Sequence, residues 1–389
     1  MTRLLSFKRL LLPAAFAFAC ASALWSVRVP RAAEPETPPP AGGGCCPVPP
    51  AELPQVLWRV PMPARPAAPR AFSGGWVVAD AAGGVAAFSP EGEPLWRTGF
   101  TGQVFEAAAA VAGDAAIVVS QRGLVAALRL DTGRVAWTRE TGASFLRPAQ
   151  TGEVDGVPVA WLLSQADGTL TCVRAEDGET VWQSEPTNRC DGEPVVWQGM
   201  VAYGNCDGAM HFFDAATGRL KGSAPVGADG QMAGGVLVSQ MPAGRPAFVA
   251  GTRGGNLVAV DPAAFALAGR VKMSESEAFA TPVAAFGGLV ATGTEEGDAV
   301  FCGFDGETFQ EMSRTTLGGG VSELAFASGR LYALAGGDLC VLAGPRGTPG
   351  RVALGDDVYG LSVDADGGII CIADQSVVRA RTGQAGGGQ

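Results

Sequence analysis

The feature that most constrains this chain is repetition. From Gly83 onward a turn followed by a short alternating strand recurs: GGVAAFSPEGEPLW, RGLVAALRLDTGRVAW, DGTLTCVRAEDGETVW, DGAMHFFDAATGRLKG and GGNLVAVDPAAFALAG. Three weaker copies follow, EGDAVFCGFDGETFQ, GGDLCVLAGPRGTPGR and DQSVVRARTG. The anchoring turn falls at Gly84, Gly123, Gly168, Gly208, Gly255, Gly297, Gly337 and Gln375, with spacings of 39, 45, 40, 47, 42, 40 and 38 residues. A period near forty with four strand-length segments per copy predicts the blades of an all-β propeller.

One copy shows the grammar. Pro194–Trp197 reads as a first strand, turned by Gln198-Gly199 into Met200–Gly204. Ala209–Asp214 and Arg219–Ser223 are the third and fourth. Alternating residues bounded by Gly, Asp and Asn are what an antiparallel meander needs, and glycine supplies the positive φ that its hairpins demand. The 56 glycines and 27 prolines among 389 residues therefore mean many tight turns, while 47% hydrophobic against 17% charged residues allows a large core.

The ends predict how the ring closes. After Gln375 only one strand remains, Ser376–Arg381, so an eighth blade assembled from Tyr359–Arg381 lacks its outermost strand. Upstream, Gln55–Pro61 (QVLWRVP) is a strand without a blade, and it reads like the fourth strands PLWRT, VAWTR and TVWQS. Pairing Leu57 and Arg59 antiparallel with Val377–Arg379 completes the blade and removes the open edge between the ends. The expected fold is thus an eight-bladed propeller of four-stranded antiparallel blades over residues 55–383, with a disordered tail at 384–389. Seven blades with a stray hairpin is the competing count.

Ahead of the repeats, Arg3, Lys8 and Arg9 precede an uncharged run from Leu10 to Trp25, the basic and apolar regions of an export signal. This run is short of the about 20 residues that span a bilayer. Three fates are open for residues 1–33: cleavage near Ala21-Ser22-Ala23, retention as an anchor, or lipidation at Cys20. Residues 34–54 form a Pro/Gly-rich linker. Each fate places the propeller in the periplasm or cell envelope. The formal charge is −10, and removing the five basic residues of the amino terminus leaves 23 basic against 38 acidic residues, a formal −15. Such a body repels nucleic acid, which is bound by concentrated positive charge.

Glycine follows the anchoring glycine by ten residues in several copies (Gly123 to Gly133, Gly168 to Gly178, Gly208 to Gly218), and tryptophan follows four later at Trp96, Trp137 and Trp182. This resembles the repeat of pyrroloquinoline quinone-type propellers, a family that includes quinone-dependent alcohol dehydrogenases and the propeller lipoprotein of the outer-membrane β-barrel assembly machinery. The resemblance implies that Trp58, Trp96, Trp137 and Trp182 wedge between neighbouring blades. In blades four to seven the tryptophan position is assigned to Gly222, Gly269, Gln310 and Arg351, so those blades must dock around smaller or different residues. The aspartate of the repeat persists at Asp214 and Asp261 but is Arg129 and Arg174 in blades two and three.

Candidate chemistry is sparse. Adjacent Cys45-Cys46 mimics the cysteine pair of the quinone dehydrogenases but lies in the linker, and no acidic–amide set is placed to hold calcium. Linker cysteines, lipidated or bridged between molecules, are the simpler reading. His211, the only histidine, has no nucleophile motif around it, and no CxxC or second histidine suggests a transition metal. Cys190 and Cys206 bracket the first hairpin of blade four in the contexts RCDGEP and NCDGAM, and their spacing predicts a disulfide in an oxidising compartment. Cys172, Cys302, Cys340 and Cys371 lie inside apolar strands and read as buried small hydrophobes. Asp177, Glu179, Glu295 and Glu296 read as solvated turn ends. No catalytic residue, cofactor or metal is expected. The function expected is a monomeric, non-catalytic exported scaffold that docks envelope proteins or peptide segments on its loop faces and meets the membrane only through its amino terminus. A quinone-dependent oxidoreductase is the alternative.

Overall fold

A computed structural model describes residues 27–28 and 53–382, apart from 228, 233, 242–243, 276–282, 287–288, 306–307 and 364–367. Eight antiparallel sheets follow one another along the chain, each a meander of four strands. Blade one is Arg70–Phe72, Gly75–Ala79, Gly84–Phe88 and Pro94–Gly99. Blade four is Val195–Trp197, Met200–Gly204, Ala209–Asp214 and Leu220–Pro225. Blade three carries a fifth strand, Val27–Arg28, along Gln150–Val154.

Blade eight joins the two ends of the propeller. Pro54–Pro61 runs antiparallel to Ser376–Thr382, which continues into Ile369–Ala373 and Val358–Val363. The register sets Trp58 opposite Arg379, Arg59 opposite Val378 and Val60 opposite Val377. Arg59 keeps its expected place, whereas Leu57 sits in a β-bulge between Val56 and Trp58 and has no partner. The eight-bladed count holds, and the seven-bladed alternative does not.

The bulge is a rule of this fold. It recurs on the fourth strands of blades one to six, directly before the position held by Trp96, Trp137, Trp182, Gly222, Gly269 and Ser313. One extra residue bends the strand and re-aims the next side chain, here toward the neighbouring blade. In blade six the register pairs Phe301 with Ser313, so Ser313 and not Gln310 occupies that position; the fourth strand there is longer, Thr308–Thr316.

Packing explains the remaining pattern. The second and third strands are buried on both faces, as in Gly75–Ala79 and Gly84–Phe88, because each sheet is sandwiched by two neighbours. Eight apolar clusters fill the eight gaps. The last joins Trp76, Val78 and Phe88 of blade one to Ile370, Ile372 and Val377 of blade eight, with Trp58 and Val60 against it. The turn into the third strand is held by a side-chain acceptor four residues ahead of that strand. Asp80 Oδ1 accepts from the N–H of Ala82 and Gly84 at 3.0 and 2.8 Å. Ser120 and Asn205 make the same pair of bonds in their blades.

Candidate functional site

The first strands surround a central channel. At the ends where these strands begin, it widens to a cavity of about 720 Å³ lined from seven blades, by Arg70, Phe105, Arg147, Glu193, Val236, Glu323 and Tyr359 among others. That volume is in the range of small-molecule sites. Its charged side chains come from the start of a first strand or the loop just before it, so the meander itself aims them at the axis.

The charges are organised. Glu323 accepts from the backbone N–H of Gly360 and Leu361 at 2.6 and 2.5 Å. Glu193 accepts from Gln150 Nε2 at 2.8 Å. Burial pushes both carboxyls above the ordinary glutamate value, and in Glu193 this outweighs the opposing pull of Arg70 and Arg147. Arg147 Nε donates to the Asp191 carbonyl at 2.8 Å. At the mouth, Arg65 pairs with Asp357 at 3.1 Å and lies 4.3 Å over the Tyr359 ring, whose hydroxyl donates to the Pro66 carbonyl.

None of these charged residues stood out in the sequence. The signal was an ionisable residue at the lead into an otherwise apolar inner strand, as in GEPVVW and VSELAF, repeated in different blades.

The calcium-held quinone implied by the family resemblance does not fit this channel. Glu193 and Glu323 are three blades apart, each already accepts hydrogen bonds, and Arg70 and Arg147 supply positive charge beside Glu193, as Arg147 does beside Glu323. Among the described residues no three of His, Cys, Asp and Glu converge as metal ligands. Cys45 and Cys46 lie outside the described residues.

The four tryptophans all reach the next blade. Their indole N–H groups donate to Pro90, Leu130, Ala175 and Ala215 carbonyls at 3.0, 2.7, 2.9 and 3.2 Å for Trp58, Trp96, Trp137 and Trp182. Each ring lies where a side chain on Gly92, Gly133, Gly178 or Gly218 would project, and those glycines have φ between +67 and +89°. Beyond blade three the two partners are exchanged. Gly222 holds the tryptophan position of blade four, and a side chain there would meet the ring of Phe265 from blade five. Phe265 stands at the turn position equivalent to Gly218, with φ +49°. Gly269 and Phe309 repeat the exchange between blades five and six.

Cys190 and Cys206 are both free thiols in the structure, so the disulfide expected from their spacing is not formed there. Their backbones are adjacent, with the Cys206 N–H donating to Arg189 O at 2.9 Å. The side chains, however, are committed to different acceptors. Buried Cys190 Sγ points to Gly204 O at 3.0 Å, while Cys206 Sγ turns to the Asp191 carboxylate at 3.8 Å. Burial pushes the Cys190 thiol up to about 12. His211 is fixed between Asn205 Nδ2 at 2.9 Å and Ser223 Oγ at 2.8 Å, and burial lowers its pKa. Cys172, Cys302, Cys340 and Cys371 are buried, and desolvation raises each thiol.

Known proteins can be set beside this geometry. The chain is 29% identical over 150 residues to outer membrane protein assembly factor BamB from Pseudomonas aeruginosa, covering 38% of this chain and 36% of that one. It spans about a third of the length of the curated relatives it matches. The crystal structure of BamB from Moraxella catarrhalis superposes with a TM-score of 0.68 at 18% identity, over 87% of this chain and 100% of that one. A quinohemoprotein alcohol dehydrogenase from Pseudomonas putida gives a TM-score of 0.69 at 12% identity over 86% and 77%, a likeness of fold. The family model described as outer membrane protein assembly factor BamB matches residues 54–157 and 121–267, more than half of the chain and five successive blades. The chain therefore belongs to the BamB family of eight-bladed propellers.

Proposed function

We propose that the protein is a non-catalytic scaffold of the bacterial cell envelope, exported by its amino-terminal segment, that docks other envelope proteins or extended peptide segments on its loop faces. Membership of the family named for outer membrane protein assembly is the observation that carries this reading. The physical form suits it. A ring closed through blade eight is rigid, and its turns present two faces to partners. The acidic body disfavours nucleic acid, and the propeller works as a monomer tethered or released at its amino terminus.

The test is cross-linking and affinity capture from detergent-solubilised envelope of the native host, with cell fractionation alongside. Envelope assembly proteins should be recovered reproducibly, and the chain should fractionate with the envelope. A cytoplasmic chain with its amino terminus intact would contradict the reading. Absorbance and tight binding on mixing purified protein with pyrroloquinoline quinone and calcium would contradict the non-catalytic part.

A further inference from the structure

One first strand is covered on its channel side. In every blade the second strand pairs with one edge of the first, and the other edge faces the channel. Among the described residues that free edge carries no strand in seven blades, whereas in blade three Val27–Arg28 runs antiparallel along it. The register sets Val27 opposite Val154 and Arg28 opposite Glu153. The covered strand begins at Gln150 on the cavity wall and ends at Val154. The pairing therefore lies roughly 10–14 Å along the strand beyond Gln150, toward the face opposite the cavity.

Blade three is shaped to offer this edge. Its first two strands, Gln150–Val154 and Val157–Leu163, are five and seven residues long, against three and five in blades one, two and four. The longer hairpin takes up the longer repeat, 45 residues from Gly123 to Gly168 between neighbours of 39 and 40. Asp155 and Gly156 close it at φ +53 and +77°, the positive pair of a two-residue hairpin turn. Gly152 stands in the strand directly before the paired residues, where glycine leaves room for another backbone to approach. Unmet N–H and C=O groups on an edge recruit an extended segment through main-chain bonds. At this register a basic residue falls opposite an acidic one. The 25 residues from Val29 to Leu53 tie the segment to blade eight, and a tether of that order holds its local concentration near the millimolar range.

We propose that the channel-side edge of blade three is an acceptor site for an extended peptide with a basic residue opposite Glu153, and that this chain's own segment at Val27–Arg28 is its occupant. Cleavage near Ala21-Ser22-Ala23, lipidation at Cys20 and retention all leave that segment on the chain, so each route fills the site in the exported protein. The edge is thereby closed to other extended segments until the segment is withdrawn. The pairing is made within one chain and stands apart from the scaffold reading, since loss of every partner from the loop faces leaves it intact.

The full chain carrying Val27→Cys and Val154→Cys tests it, because directly opposed residues lie within disulfide reach. After mild chemical oxidation, non-reducing peptide mapping should find the two positions joined. Val27→Cys with Ala112→Cys, at the equivalent end of the first strand of blade two, should stay apart. Adding Glu153→Lys to the first pair should lower the yield about two- to fivefold, and adding Arg28→Glu as well should restore it. Hydrogen exchange supplies a second readout that leaves the core untouched. Val27→Pro with Arg28→Pro should speed exchange in Gln150–Val154 at least threefold and leave Val236–Gln240 of blade five unchanged. A synthetic peptide of residues Leu24–Arg31 at millimolar concentration should restore the protection in that double-proline chain and do nothing to the parent. Introduced thiols that stay apart, a yield indifferent to charge, exchange unaltered by the prolines, or a peptide without effect would overturn the proposal.

Discussion

The ring of Trp137 lies so close to Gly178 of the next blade that a Cβ at Gly178 would stand 2.6 Å from the indole. The same indole donates to Ala175 at the start of that turn, at 2.9 Å. Gly178, at φ +73°, therefore serves twice, since only glycine both adopts the turn cheaply and leaves space for the ring. We propose that this pairing and its three counterparts dock the blades. Trp137→Ala should cost about 2–4 kcal/mol, toward the lower end for a large buried aromatic because the ring is half-exposed. Gly178→Ala should cost at least about 1–2 kcal/mol from backbone strain alone. The double variant should fall well short of the sum when measured by urea denaturation.

The exchanged pair in the next gaps makes a sharper test. Gly222→Trp should be severely destabilising, since the new indole and Phe265 would claim one space. Adding Phe265→Gly restores the arrangement of the earlier blades and removes a non-glycine residue at φ +49°. The double variant should recover most of the lost stability in thermal melts. A double variant no better than Gly222→Trp would mean that the gap between blades four and five is built differently.

These contrasts show what was legible in the chain. The turn glycines, the Trp96, Trp137 and Trp182 series and the unclaimed strand around Trp58 are local signals, repeated, and they carried the architecture. The Gly222–Phe265 exchange was not legible, because each half looks like a degenerate repeat until two blades are seen together. Gln310 was displaced by three residues because a longer strand and its bulge do not announce themselves in the periodicity. The channel charges were missed for a related reason. Arg70, Arg147, Glu193 and Glu323 converge only because the ring closes.

Stability should depend on pH through the channel. Burial raises the carboxyls of Glu193 and Glu323 above 4.5, so the folded chain holds their protons more tightly than the unfolded one. The stability this contributes is complete below about pH 4.5 and is lost as pH rises through the raised folded values. Glu193→Gln cannot lose a proton. Its melting temperature relative to the parent should therefore climb as pH rises above the ordinary glutamate value of 4.5, whereas a difference that is flat or falling would show that Glu193 is not desolvated.

The thiols of blade four can be separated by access. In reduced, folded protein Cys206 should alkylate far faster than Cys190, which is buried and whose thiol is pushed up to about 12. A disulfide between them is proposed for the exported, oxidised chain, and it requires both side chains to leave their present acceptors. Peptide mapping under non-reducing conditions should then recover Cys190 and Cys206 joined. Two separate thiols in protein from the host envelope would contradict the bridge.

Closure of the ring by Pro54–Pro61 is the relationship on which the architecture rests. Arg59 reinforces it with a bond to the Leu354 carbonyl at 2.5 Å, and Gln375 Nε2 donates to Met62 O at 2.8 Å just beyond the strand. Comparing the melting of chains lacking residues 1–50 and 1–62 measures its contribution directly. The shorter deletion should melt within a degree or two of the full chain. The longer one removes the strand and the roughly 150–250 Å² that an aromatic such as Trp58 can bury, and should lose several kcal/mol and aggregate through the bared edge of Ser376–Thr382. Equal melting of the two truncated chains would contradict the closed eight-bladed ring.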